Sequence, residues 1–91
     1  MVEYDEVTRR AIERAASVEP AQRSRRDRTL LMLSGGQWVD GLDLALRASG
    51  LGYRSRISEL RQSGVPIECR PTPGRPKGEH WHQYRLKPLE R

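Results

Sequence analysis

Three residues near the C-terminal end, Cys69, His80 and His82, carry side chains that could ligate a metal ion or attack a substrate. A thiolate and two imidazoles supply three of the four positions of a zinc site, and a hairpin pairing Cys69 opposite His82 would bring them onto neighbouring strands. The spacing argues against it. Neither C-x-x-C nor H-x-x-x-H occurs, and His80 falls near the tip of a loop. A buried Cys beside a half-exposed His at the end of a small core is the better reading, with no metal and no other cofactor. Nucleophilic catalysis by Cys69 or a serine would require a base, an oriented third group and a pocket, and no G-x-S-x-G or related context offers them. The chain reads as a protein that is not an enzyme.

A different chemistry sits in GLGYRSRISELRQSG, from Gly50 to Gly64, which holds three arginines and three serines between its bounding glycines. At about 100° per residue, Tyr53, Ile57 and Leu60 fall within about 60° of one another and form the buried stripe of a helix from about Tyr53 to Gln62. The opposite face then holds Ser55, Ser58, Glu59 and Gln62, with Arg54, Arg56 and Arg61 on the flanks. Hydroxyls and an amide flanked by guanidinium groups suit base edges flanked by two phosphate walls. Glu59 is the contrary residue, since it repels phosphate unless it accepts from a cytosine amine.

Ninety-one residues, 35% hydrophobic and without Phe, make one small domain with a thin core. No apolar run approaches the roughly 20 residues of a membrane span, and MVEYDEVTRR lacks the apolar centre of a signal peptide, so a cytoplasmic location is expected. One cysteine cannot form an internal disulfide, which agrees with a reducing compartment. The net charge of +5 is uneven: residues 1–19 carry −2 and the remainder +7. Such an imbalance points to a polyanionic partner for the remainder. Fifteen of the seventeen basic residues are Arg, which forks phosphate and guanine edges, although a GC-rich coding bias produces the same preference.

The elements that must position these residues follow from periodicity. Residues 2–17 predict an amphipathic helix with Val7, Ala11, Ile12 and Ala15 on one face and acidic residues in its first turn. Pro20 predicts the start of a second helix, running through AQRSRRDRTLLML to Gly35-Gly36. After a short extended QWV segment, Asp40 caps a helix through Arg47 whose buried stripe is Leu42, Ala45 and Leu46. Ser49-Gly50-Leu51-Gly52 is a tight break, so this helix and the next form a helix-turn-helix unit. VPIECR and HWHQYRL alternate as strands, joined by PTPGRPKGE, a basic loop too rich in Pro and Gly to be helical. Trp38 and Trp81 are assigned to core or hinge packing, with Trp81 on the outer face of its strand.

The order of these elements, together with Arg56-Ile57-Ser58-Glu59-Leu60-Arg61, Gly64-Val65-Pro66-Ile67 and Tyr84-Arg85-Leu86, resembles the winged helix-turn-helix domains of small bacteriophage and prophage proteins. The resemblance spans roughly residues 25 to 87, and the turn before the R-I-S run is shorter here than is usual in those proteins. It implies an α+β, mainly α fold: a three-helix core plus a C-terminal β-hairpin wing, with an extra N-terminal helix. Residues 1–19 would be that helix or arm and residues 20–91 the domain. It also implies double-stranded DNA as the partner, in transcription regulation or as an architectural or excision accessory factor, in the nucleoid of a bacterial host. The contacts carried over are Arg54, Ser55, Arg56, Ser58, Arg61 and Gln62 on the recognition helix and Arg70, Arg75 and Lys77 on the wing. Winged helices also serve as protein-binding adaptors, so a host or phage protein partner is the alternative. A homodimer on two half-sites is common for such proteins, although no heptad pattern is present. For the N-terminal helix three fates stay open: packing across the back of the domain, pairing with a second copy, or a disordered arm.

Overall fold

The computed structural model describes residues 2–76 and 81–90, so Lys77 and His80 lie outside the described residues. The architecture is α+β and mainly helical, with helices on one side of a three-stranded antiparallel sheet. In chain order the elements are α1 (Glu6–Ser17), α2 (Arg25–Leu33), β1 (Val39–Asp40), α3 (Gly41–Leu44), α4 (Tyr53–Gln62), β2 (Ile67–Pro71) and β3 (His82–Leu86). Among the described residues no helix is long and apolar enough to cross a membrane.

Helix α1 begins at Asp5, whose carboxylate accepts from the Thr8 amide at 2.8 Å. That bond satisfies one of the donors a helix start leaves unpaired and holds the Asp5 carboxyl below the usual carboxylate range. The far end is closed by Arg23, whose Nε donates to the carbonyls of Ala15 and Val18 at 3.2 and 3.1 Å and whose Nη2 donates to that of Ala16 at 3.1 Å. A cation there also complements the negative end of the helix dipole. Of the three fates open to this helix, the structure shows packing across the back of the domain. Ala15 joins the same core as α2 and α4, Ala11 and Ile12 pack against it, and Tyr4 Oη donates to the Ser34 carbonyl at 3.2 Å. The buried positions are Thr8 and Ala15, and Val7, assigned to the apolar face, is half-exposed.

Pro20 starts only a single 3-10 turn, Pro20–Gln22, and not the second helix. The chain then re-enters helix at Ser24, whose hydroxyl accepts from the Asp27 amide at 3.0 Å and caps α2. Buried Leu30 and Leu33 place the late half of α2 in the core, as its apolar end implies.

The third helix differs most from its periodicity. Asp40 stands at the cap position of α3 but makes no side-chain cap bond; its Oδ1 accepts from Gln83 Nε2 at 3.0 Å instead. After Leu44 the chain widens into a π-helical turn, Ala45–Ser49. The face turned to the core runs through Gly41, Leu44 and Ala48, offset from the stripe Leu42, Ala45 and Leu46 read from periodicity. Leu44 and Ala48 are buried, Leu42 and Ala45 are half-buried, and Leu46 is fully outside. Arg28 Nε donates to the Ala48 carbonyl at 3.1 Å and fastens this turn to α2. Gly41 is required by proximity, because a Cβ there would meet the Tyr53 hydroxyl at 2.7 Å.

The sheet order is β1-β3-β2, and both pairs are antiparallel. Val39 pairs with Tyr84 in β1–β3, while Cys69 pairs with Tyr84 and Pro71 with His82 in β2–β3. The expected pairing of Cys69 with His82 is therefore off by two residues, and Cys69 is exposed, not buried. Val65, Ile67, Tyr84 and Leu86 face the helices. The Tyr53 and Tyr84 rings meet edge to face, centroids 6.0 Å apart at 73°, which joins α4 to the sheet.

Candidate nucleic-acid interface

Helix α4 spans Tyr53–Gln62, and its stripe is buried as its spacing requires: Tyr53, Ile57 and Leu60 are 1%, 2% and 3% exposed. Its C-terminal end is fixed by a Schellman arrangement. The Val65 amide donates to the Leu60 carbonyl at 3.0 Å and the Gly64 amide to that of Arg61 at 3.1 Å, with Gly64 at φ 100° where an L side chain would be strained. Leu60 and Val65, both buried, make the apolar contact of that motif. The rotation of α4 about its axis is thus set from inside.

What remains outside is Arg54, Ser55, Ser58 and Gln62, all exposed. Arg56 and Glu59 form an ion pair at 2.6 Å, so the carboxylate that would repel a polyanion is neutralised on its own helix. Ser24, Arg25 and Arg26, at the start of α2, line a shallow depression together with this pair. Those two arginines extend the basic surface beyond α4. The signal for them in the sequence is the run SRRDR, which a reading of helix faces absorbs as an ordinary solvated turn. Arg61, on the flank, has a partner within the chain: its Nη2 donates to the Ile67 carbonyl at 3.0 Å, which ties the end of α4 to β2.

The hairpin contributes two distinct sites. Thr72 to Arg75 form a turn through Pro73 and Gly74, closed by the Arg75 amide on the Thr72 carbonyl at 3.3 Å. The Arg75 guanidinium lies 4.7 Å from the centre of the Trp81 ring. This turn and this stack orient Arg75 in a loop that is not helical. Arg70 is not at the tip. It stands on the outer face of the sheet, where its Nε donates to Gln83 Oε1 at 2.8 Å and its guanidinium lies 4.3 Å from the centre of Trp38. Arg85 shares that ring at 4.7 Å and donates through Nε to Glu68 at 2.8 Å. Asp40, Gln83, Arg70, Trp38, Arg85 and Glu68 thus form a continuous polar and aromatic layer over all three strands. Of the two roles assigned to Trp38 and Trp81, core or hinge packing, the first does not apply: both are half-buried and outside the apolar core.

No family model, curated protein or solved structure matches the chain.

Beneath the interface the chemistry is apolar. Burial pushes the Tyr84 hydroxyl up to about 12, assisted by Cys69 and Tyr53 beside it and opposed by Arg54. Tyr84 is therefore a neutral core residue. Among the described residues no three His, Cys, Asp or Glu side chains gather closely enough to hold a metal ion. His80 of the sequence-derived triad lies outside those residues, and Cys69 and His82 do not pair. The surface that results offers hydroxyls, an amide and guanidinium groups on one rigid helix, with a further guanidinium on a hairpin turn.

Proposed function

We propose that the chain is a winged helix-turn-helix protein that binds double-stranded DNA, with α4 as recognition helix and the β2–β3 hairpin as wing. In this reading α2, α3 and α4 are the three-helix core, β1 is the short strand between its first two helices, and α1 is an addition packed across the back. The observation that carries it is α4 itself: three residues buried on one side fix the helix, and Arg54, Ser55, Ser58 and Gln62 stand on the other. Polar groups held on a rigid helix suit base edges, and cations near its ends suit phosphates. The pairing of Arg56 with Glu59 removes the main electrostatic objection. Arg25, Arg26 and Arg75 add cations around that helix, and the charge imbalance of the chain supports the same partner. The cellular role is that of a phage-type transcription regulator or architectural accessory factor, without catalysis.

A second reading, an adaptor that binds another protein, is favoured by one observation: Leu46 and Leu51 are 83% and 85% exposed. Fluorescence anisotropy against labelled duplex at two salt concentrations separates the two. A DNA binder that neutralises several phosphates loses affinity steeply, with a log–log slope of about −0.9 per phosphate. Absence of binding up to high micromolar concentrations, or a flat salt response, favours the adaptor.

A further inference from the structure

Leu51 is the most exposed large apolar residue described in the chain, and isolated exposed leucines are ordinary. Its position is what calls for an explanation. It occupies the centre of the 3-10 turn Gly50–Gly52, which leads directly into α4. Neither flanking glycine brings a side chain to cover it, and the space where their Cβ atoms would stand is open. Continuing the phase of α4 backwards, at about 100° per residue or about 120° through the 3-10 turn, puts Leu51 within about 60° of Ser58 and Gln62. The buried stripe of Tyr53, Ile57 and Leu60 lies on the opposite side. Leu51 therefore leads the same face that the DNA-binding reading directs at base edges. Arg47 and Arg54, both exposed, flank the turn, so its surroundings suit a polyanion better than an apolar protein surface.

A leucine can find one apolar group on the edges of base pairs in the major groove, the 5-methyl of thymine. We propose that Leu51 is a specificity-determining residue that packs against thymine 5-methyl groups at the N-terminal end of α4. The inference rests on the DNA-binding reading, and its test is built to fail separately. A duplex is enriched from a random library with the intact protein, and its thymines are then replaced by uracil, which removes only the methyl groups. The parent weakens about four-fold for each buried methyl, the factor for returning one such group to water. Leu51→Ala binds the thymine and uracil duplexes alike, whereas Leu51→Met, which keeps an apolar side chain, retains the preference; circular dichroism confirms that each variant is folded.

Two results overturn the inference and leave DNA binding intact: a parent indifferent to uracil, or a Leu51→Ala variant that still discriminates. A third also overturns it, namely self-association of the parent that Leu51→Ala abolishes with no change in the uracil effect, which assigns the leucine to a protein contact. Failure to enrich any duplex removes the DNA-binding reading itself.

Discussion

Trp38 and Trp81 each hold arginine guanidinium groups against an aromatic ring, but the two sites differ in what else holds the cation. At Trp38, Arg70 and Arg85 are also hydrogen-bonded, to Gln83 and Glu68, and Gln83 passes the connection to Asp40 on the third strand. At Trp81, among the described residues, Arg75 has the ring alone. Geometry explains the difference. The first site lies across paired strands, where the side chains of opposite residues meet within about 5.5 Å, and the second lies beyond the strands at a turn. The same two residue types therefore brace the sheet in one place and in the other present a pre-oriented cation to the outside. A basic residue is a candidate ligand contact only after its partners within the chain have been identified.

The core beneath both sites sets the upper scale of these differences. Ile57→Ala is expected to cost about 2–5 kcal/mol in urea unfolding, because the side chain is buried in a core too small to close over the void. A parent-like midpoint would mean that α4 is not rotated as described, and the exposed face would have to be reassigned.

Trp38→Ala is expected to cost about 2 kcal/mol, from two cation–π contacts at about 0.5–1 kcal/mol each and the apolar area they cover. Trp81→Ala loses one such contact and should cost about 0.5–1 kcal/mol. Equal melting temperatures for the two variants would break the contrast between a bracing site and a presenting one.

Binding should show the reverse order. Arg75→Ala is expected to weaken every duplex similarly and to reduce the log–log salt slope by about 0.9, the signature of one lost phosphate contact. Arg70→Ala should lower stability with the slope unchanged, because its guanidinium is engaged on the sheet. A slope reduced by Arg70→Ala and not by Arg75→Ala would exchange the roles given to the two sites.

The smallest effect lies far from both. Asp5→Ala removes the cap of α1 and is expected to cost about 1 kcal/mol in thermal unfolding. The carboxyl of Asp5 is held down in the folded state, so its contribution is complete above the unfolded-state value of about 3.9 and disappears as pH falls through the lower folded-state value. The difference between parent and variant should thus shrink below pH ~4, with duplex affinity at neutral pH unaffected.

How far the sequence reveals this arrangement differs by element for physical reasons. Helix α4 is legible in full, since three apolar residues at helical spacing between glycines admit one rotation. Helix α3 misleads because the positions that face the core, Gly41, Leu44 and Ala48, include a glycine and an alanine that carry little apolar signal, whereas the large apolar Leu46 stands outside. The strands are legible as strands, but their register is not: it depends on the Thr72–Arg75 turn and on β1, partners remote in sequence. The error of two residues at Cys69 follows from that, and the contacts of Arg70, Trp38 and Trp81 go unread in the sequence because they all cross between elements. Of the candidate interface, the part within one helix is therefore readable and the part built by pairing is not.

The bond from Arg61 to Ile67 bears on how copies of this chain can meet. Strand β2 is at the margin of the sheet, and the bonds of Thr72 to Trp81 and Lys87 to Pro66 turn the backbone groups of Ile67, Cys69 and Pro71 away from β3. Such an open margin invites a strand from a second molecule. Here the Ile67 carbonyl is already occupied by the Arg61 guanidinium, and Pro71 has no N–H to give, which leaves only Cys69 with both groups available. Two of the six outward groups are thereby withdrawn, one at each end, which shortens the ladder this margin can offer a second strand.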